Sequence, residues 1–529
     1  MALLRLGLII FLSLSLLLLP SKSFSKRQWQ KERGDSLVIG DFIKPSPINP
    51  ILTRGTISAT LRDIIFDGLI KISAQLAVQP NLALSWNNSP DGLHWQFHLE
   101  KNIRFHDGIE LTAEDVKFTL DSILDPTNNS PYLTLLEGVK KVDAKDKYQV
   151  EIVLKYPIAS FLSYLDVGIL PKHLLQGKDI TKDEFNYYPI GTGPFKFGSW
   201  SGNEIILEAN EQYFLGRPQL EKVIAKIFPT QSIVWAQLMK RDLDLIFLAF
   251  PKNYRIIERI ADFRVHSLLS LYSYILVFNN DNGLFKEIRV RQALNYAVNK
   301  EEMIKRTLLG RGRVSSGTIY PLSWAYDPNL KPYPYDARKA LELLYGAGWS
   351  DTNGDNILDR SGRRFEFALL IVKGDEVSWK TALQIQQQLL DIGIIVKVKP
   401  LPFPQYENFL LAKKFDAALI SIISDDPDKN YAWWHSSQII GGFNVFSYKN
   451  KNVDDALDRG RTSLDREERG KIYQQLQRKL HEDPPGVFLF WRDYLIGIHK
   501  RFKGIRLSPA RILNNINEWY VPREEQKYR

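Results

Sequence analysis

The stretch that most restricts the fold runs from residue 365 to 401. FEFALLIV is an apolar run of strand length, TALQIQQQLLDIG has helical spacing, and IIVKVKPL returns to alternation. In the middle segment Ala382, Ile385, Leu389 and Ile392 are spaced 3, 4 and 3, and Gly393 can terminate the helix. A strand–helix–strand unit requires a right-handed crossover and parallel strands. An all-helical bundle and an all-antiparallel sandwich are thereby excluded for this part of the chain, and an α/β architecture is expected.

The rest of the chain adds mixed elements. SLVIGDFI (36–43) reads as a buried strand, and three prolines in KPSPINP then force an extended course. LRDIIFDGLIKI (61–72) has helical spacing, and LHWQFHLEKNIRFHDG (93–108) alternates as a strand. Thr112 is placed to cap a helix that opens Ala-Glu-Asp, and YQVEIVLK (148–155) is a further strand. A hairpin is expected at Ser201-Gly202-Asn203, followed by strands in EKVIAKIFP and DLDLIFLAF. From Arg289 one helix is expected with Leu294, Ala297, Val298, Ile304 and Leu308 on one side and Gly310 at its end. Asp336 caps another helix, REERGKIYQQLQRKL is a last long one, and GVFLFWRDYLIGIH returns to strand. With neither a repeat nor a low-complexity linker, domains must be joined by strands that pass between them.

MALLRLGLIIFLSLSLLLLPSKSFS has one basic residue, an apolar run and then small residues, the layout of a cleavable signal peptide over 1–25, with an uncleaved anchor as the alternative. The 529 residues contain no cysteine, so an exported chain must rely on its core, and a lipid-modified cysteine anchor is ruled out. The formal charge of +10 is spread among 60 acids without a basic run. That describes a mixed solvated surface and argues against nucleic acid.

Motif chemistry is sparse. YPIGTGPFKFGSW (188–200) resembles a phosphate loop, but Pro194 follows Gly193 without an N–H, and strand follows where a helix is needed. DTNGDNILDRSG (351–362) puts Asp351, Asn353, Asp355 and Asp359 at calcium-loop positions, yet Asn356 stands where glycine belongs and Gly362 where glutamate belongs. A polar turn is the better reading, with calcium kept open. His94, His98 and His106 lack the further ligands a metal needs. No nucleophile motif is present, so neither a catalytic residue, a metal ligand nor a cofactor is expected. SDDPDKNYAWWHSSQ (424–438) follows the apolar run AALISII and has the composition of a crevice beyond strand ends, or else of an acidic turn and a core-facing helix.

Five stretches share one resemblance. FHDGIELTAEDVKFTLDSIL, YPIGTGPFKF with ANEQYFLGRPQLEKV, VRQALNYAVNKEEMI, YDARKALELLYGAGWSDTNGD and NVFSYKNKNVDDAL are similar to the extracellular solute-binding proteins of family 5, which serve ABC importers of dipeptides, oligopeptides and nickel. The resemblance covers residues 36–522, in order. It implies a two-lobed periplasmic-binding-protein clamshell of type II with an extra inserted domain. The implied boundaries are 26–60, 170–268 and 486–529 for lobe 1, 61–169 for the inserted domain, and 269–485 for lobe 2. The implied activity is capture of a peptide or peptide-like ligand by a periplasmic monomer that delivers it to an inner-membrane permease. An importer-independent sensor or chaperone-like protein, or a receptor for a metal chelate or sugar, remains as the alternative.

Peptide-binding members hold the ligand amino group with an aspartate in a pattern resembling D-x-x-D-P. Here Asp426-Pro427 matches its second half, while Ile423 replaces the first aspartate and leaves Asp425 as the substitute. By the same resemblance Trp433 and Trp434 would be aromatic walls, His435 and Asn444 nearby polar groups, and Tyr274 and Asn279 further ligand-binding candidates.

Overall fold

The computed structural model describes residues 33–53, 56–248 and 254–528. The segment 1–25, expected as a signal peptide, lies outside them, as do Ala249 and Phe250 at the end of DLDLIFLAF. The first strand is β1 (Ser36–Asp41). There follow a small pair, β2 (Ile70–Ile72) and β3 (Val78–Pro80), and a four-stranded group, β4 (Ala83–Asn88), β5 (His94–Leu99), β6 (Val139–Asp146) and β7 (Gln149–Leu154). Next come β8 (Phe195–Ser201), β9 (Glu204–Ala209), β10 (Lys222–Ile227), β11 (Leu245–Leu248), the long β12 (Phe263–Phe278) and β13 (Gly312–Val314). A short hairpin of β14 (Asp359–Arg360) and β15 (Arg363–Arg364) precedes β16 (Glu366–Val372), β17 (Ile395–Leu401), β18 (Ala417–Ile423) and the long β19 (Gly486–His499).

One eleven-stranded sheet runs in the order β17-β16-β18-β12-β19-β11-β1-β10-β9-β8, with β13 also on β19. The strand–helix–strand expectation holds: β16 and β17 are parallel and the helix Glu376–Leu390 connects them. The sheet belongs to two lobes, β11 to β8 in one and β17 to β18 in the other, and β12 and β19 cross between them. β12 pairs with β19 from Phe263 to Leu269, loses register, and resumes at Ser273, where it also pairs with β18. A ladder break at the crossing makes a local bend at little cost, since only a few backbone bonds are lost.

Alternate strand residues point to opposite faces and fill separate cores. In lobe 1, Leu37 and Ile39 join Trp95, Phe97 and Trp519 on one face, while Val38 joins Leu238 and Ile257 on the other. In lobe 2, Leu276 and Leu419 pack with Ile385 and Leu389, while Ile275 and Val277 pack with Trp434 and Tyr473. The four-stranded sheet β4-β5-β7-β6 shares the first lobe-1 core.

Several local expectations hold. Thr112 and Asp115 form a reciprocal capping box, Asp336 accepts the Lys339 N–H, and β8 and β9 turn at Gly202 with φ +57°. Three need correction. The helical reading of 61–72 ends at Ile65, because Gly68 lies against the Asp166 backbone, where a Cβ would sit 2.5 Å from its carbonyl carbon, and β2 begins at Ile70. The strand read over 93–108 ends at Leu99, and Asn102 takes a left-handed φ of +62°. The single helix from Arg289 is two, Ile288–Ala297 and Lys300–Thr307, because Asn299 turns out of helical geometry to accept the Glu302 N–H at 2.9 Å.

The 188–200 loop is architecture. Gly193 N–H donates to Ile65 O at 2.8 Å, and a Cβ on Gly191 or Gly193 would lie 2.1 or 2.5 Å from the Ile65 and Ile64 carbonyl oxygens. His106 fastens the loop: its Nδ1 accepts the Gly191 N–H at 3.2 Å and its Nε2 faces Gly193 O at 3.0 Å. Burial pushes this imidazole down to about 4, so it stays neutral and one nitrogen accepts while the other donates.

Candidate functional site

A cavity of about 300 Å³ lies where the lobes meet beside the crossing strands. Lobe 1 contributes Arg62 and Asp63, Tyr132, Ser163, Tyr164, Asp166 and Arg511. The crossing strand β12 contributes Leu271, and lobe 2 contributes Asp425, Asp426 and Lys429. A larger groove of about 700 Å³ flanks the helix Ala113–Leu124, but its lining lies entirely within residues 114–182, so closing the lobes cannot act on it.

The lobe-2 wall follows from how β18 ends. Ser424 N–H donates to Leu271 O at 2.9 Å and its hydroxyl to Thr318 O at 2.8 Å, which fixes the strand end. Pro427 then starts a short 3₁₀ turn capped by Asp426, whose carboxylate accepts the Asp428 N–H at 2.9 Å. One turn later Lys429 Nζ reaches Asp425 at 2.6 Å. Burial works against the Lys429 charge, but Asp425, with Asp426 and Asp166 adding to it, outweighs burial and the Lys429 pKa is raised. Asp428 points the other way, to Arg469 at 3.0 Å and to the Tyr473 hydroxyl.

Asp426 has only neutral hydrogen-bond donors, the Asp428 N–H and the Ser163 side chain. Burial, then the charge of Asp428, push its carboxyl up to about 6. Burial raises the Tyr164 phenol as well, with Asp426 and Asp428 adding to the effect. On the lobe-1 wall the charges are paired: Arg62 with Asp63 at 2.6 Å, and Arg511 Nη2 with Asp166 at 3.0 Å. Arg62 also donates to the Tyr132 hydroxyl at 3.0 Å.

The lobes touch directly beside this cavity. Ala159 N–H donates to Arg461 O at 2.8 Å, and Arg469 Nη1 donates to Ala159 O at 3.2 Å. The arrangement is thus a cleft, bridged at Ala159, with charged walls from both sides.

Of the expected site residues, Asp425 and Asp426 line the cavity and the other six do not. Tyr274 is buried in β12 with its ring stacked on Phe490. Asn279 donates to Lys413 O and Phe415 O and ties two loops together. Trp433 packs on Phe443 and Phe446, and Trp434 is fully buried with its indole N–H held by Thr318 and Asn430. His435 stacks on Tyr431 and bonds Ser437, while the buried Asn444 holds His435 O and Tyr448 O. The side chains of Asn279, Trp434 and Asn444 are already matched inside the protein and have nothing left to offer a ligand, whereas His435 Nε2 has no hydrogen-bond partner.

Sequence reasoning missed Arg62, Asp63, Tyr164, Asp166, Lys429 and Arg511. Only Lys429 carried a signal, its spacing of four from Asp425. The calcium-like turn closes on itself, since Asp351 accepts the N–H groups of Asn353, Gly354 and Asn356. Among the described residues no group of three or more His, Cys, Asp or Glu is placed to hold a metal.

A sequence model of bacterial extracellular solute-binding proteins, family 5 (Middle), matches residues 77–441. Oligopeptide-binding protein AppA of Bacillus subtilis (strain 168) is 34% identical over 513 residues, 95% of this chain and 94% of that protein. Its solved structure with a nonapeptide superposes with a TM-score of 0.76, covering 93% of this chain and 99% of that one. NikZ from Campylobacter jejuni, solved with Ni(L-His), gives a TM-score of 0.78 at 32% identity, covering 92% and 99%. DppA from Helicobacter pylori, solved with the peptide STSA, gives 0.75 at 28% identity, covering 94% and 100%. A match over most of the length, on a two-lobed α/β fold with a cavity between the lobes, means that this chain belongs to family 5 of the bacterial extracellular solute-binding proteins.

Proposed function

We propose that this protein is the receptor of an ABC importer, which captures a peptide between its lobes and hands it to an inner-membrane permease without chemistry of its own. The observation that carries this is the cavity itself. Its walls come from both lobes and from a crossing strand, so a ligand that touches them all stabilises the closed form. The relatives solved with a nonapeptide and with STSA support the ligand class. So does the strand edge: β16 pairs with β18 only at Ala417 and Ala418, leaving the Leu419–Ile423 edge away from β12 without a strand neighbour among the described residues. An extended peptide can add to such an edge.

Ile423 stands where the aspartate of D-x-x-D-P would be, and its apolar side chain cannot hold an ammonium. Asp426, with Asp425 beside it, takes that role in our reading. The boundaries 26–60, 170–268 and 486–529 for lobe 1, 61–169 for the inserted domain and 269–485 for lobe 2 are part of the proposal, and the register break at Leu269 supports the division at 268/269. Export to the periplasm as a monomer freed of residues 1–25 completes the proposal.

Native mass spectrometry of the purified protein, followed by small-angle scattering with a peptide pool, tests it. A retained or added peptide and a contraction in radius are expected. Neither a mass shift, a change in melting temperature nor contraction with any pool would end the peptide reading.

A further inference from the structure

Resting on that peptide reading, we infer that the cavity between the lobes is built for a short peptide of two or three residues carrying a net positive charge. Size gives the first limit. A water takes about 30 Å³ of liquid, so 300 Å³ holds on the order of ten solvent-sized groups. Ala-Ala, with about eleven non-hydrogen atoms, is of that size, and a nonapeptide backbone alone is several times larger. The cavity does not continue past the crossing strands, because Leu76 and Leu271 on its wall pack with Tyr320 and Trp491, all four buried, into one apolar cluster.

Charge gives the second limit. The lining holds three cations, Arg62, Lys429 and Arg511, against four carboxylates, Asp63, Asp166, Asp425 and Asp426. Each cation has its own carboxylate: Arg62 with Asp63, Arg511 with Asp166 and Lys429 with Asp425. Asp426 is left over: its hydrogen-bond donors are an N–H and a hydroxyl-bearing side chain, and Arg469, whose charge reaches it, is paired with Asp428. An ammonium at Asp426 supplies the missing charge. The ligand's terminal carboxylate then meets Arg511, whose contact with Asp166 uses only Nη2. That carboxylate restores the excess of negative charge between the walls of the cleft, where screening is weaker than in bulk water, and a basic side chain on the peptide cancels it.

Calorimetry on the full mature protein with Lys-Ala, Ala-Ala, Ala-Asp and a nonapeptide tests both limits. Lys-Ala is expected to bind at least about tenfold more tightly than Ala-Asp, and the nonapeptide not at all. Asp426→Asn can still accept the Asp428 N–H, so it preserves the turn while removing the surplus charge. It is expected to abolish the preference for Lys-Ala over Ala-Ala. Equal affinities for Lys-Ala and Ala-Asp in the unaltered protein, or a nonapeptide bound more tightly than the dipeptides, overturn the inference and leave the peptide reading standing. Binding of none of the four overturns the inference, and the peptide pool then decides the peptide reading. The comparison in the unaltered protein decides the matter even where Asp426→Asn fails to fold.

Discussion

Two of the buried arginines that hold aspartates, Arg501 and Arg469, are used differently. Arg501 joins Asp35, Asp244 and Ser36 O, all within lobe 1. Asp35 also accepts the N–H groups of Ser36 and Lys527, and Asp244 accepts that of Val38. The set ties the start of the described chain, β11 and the C-terminal segment together, and its groups are matched inside a sealed space. Arg469 instead joins Asp428, Gly460 O and, across the cleft, Ala159 O. Asp428 Oδ2 has no hydrogen-bond partner, and Asp426, two residues away, faces the cavity. The same pairing of guanidinium and carboxylate therefore serves stability where it is sealed, and closure where one partner belongs to the opposite lobe.

Arg501→Met breaks the sealed set and should show the largest effect. Two buried carboxylates lose their counter-charge, an expected cost of about 3–5 kcal/mol in unfolding free energy. Thermal or urea denaturation measures it, and ligand affinity in the folded fraction should not change. Arg469→Met should cost less stability, because Asp428 keeps the Tyr473 hydroxyl, yet it should weaken ligand binding by removing the cross-lobe contact. If both variants lose stability alike and neither alters affinity, the two clusters do the same job.

Asp425→Asn with Asp426→Asn tests the open region alone. A ligand with a free amine should lose at least about 2 kcal/mol of binding, while an N-acetylated version should be indifferent to the change. Unchanged affinity for the free amine removes both residues from the site.

The two regions also differed in how far the sequence revealed them. Caps and turns could be read, because Thr112, Asp336 and Gly202 act on backbone within a few residues of themselves. So could the parallel pair β16 and β17, whose spacing encodes it. The cavity walls could not, because Arg62, Asp166 and Arg511 meet only after the chain has crossed between lobes. Trp433 and Trp434 read as walls because aromatic density beside acids looks alike in a cleft and in a core. What separates them is a partner such as Thr318, more than a hundred residues away, for the Trp434 indole.

The smallest expected effect is one of pH, and it sharpens the contrast most finely. Asp426 is raised from 3.8 to about 6 by burial and by Asp428, with Arg469, the Asp428 N–H and Ser163 acting against the shift. Tyr164 faces the pair from lobe 1, and Asp425 is neutralised by Lys429. A carboxyl with a raised pKa favours the folded state when protonated, so its contribution is present below 3.8 and is lost as pH rises through 6. The empty protein should therefore lose some stability from this group between pH 5 and 7.5, and an ammonium ligand should restore it. Affinity for an amine-bearing peptide runs in the opposite sense. One unit below the carboxyl pKa, near pH 5, protonation should weaken binding about tenfold relative to neutral pH. Calorimetry at pH 5 and 7.5 measures this, with Asp426→Asn expected to flatten the profile. A profile that stays steep in that variant would assign the titration to another group and remove the distinction between the open cluster and the sealed one.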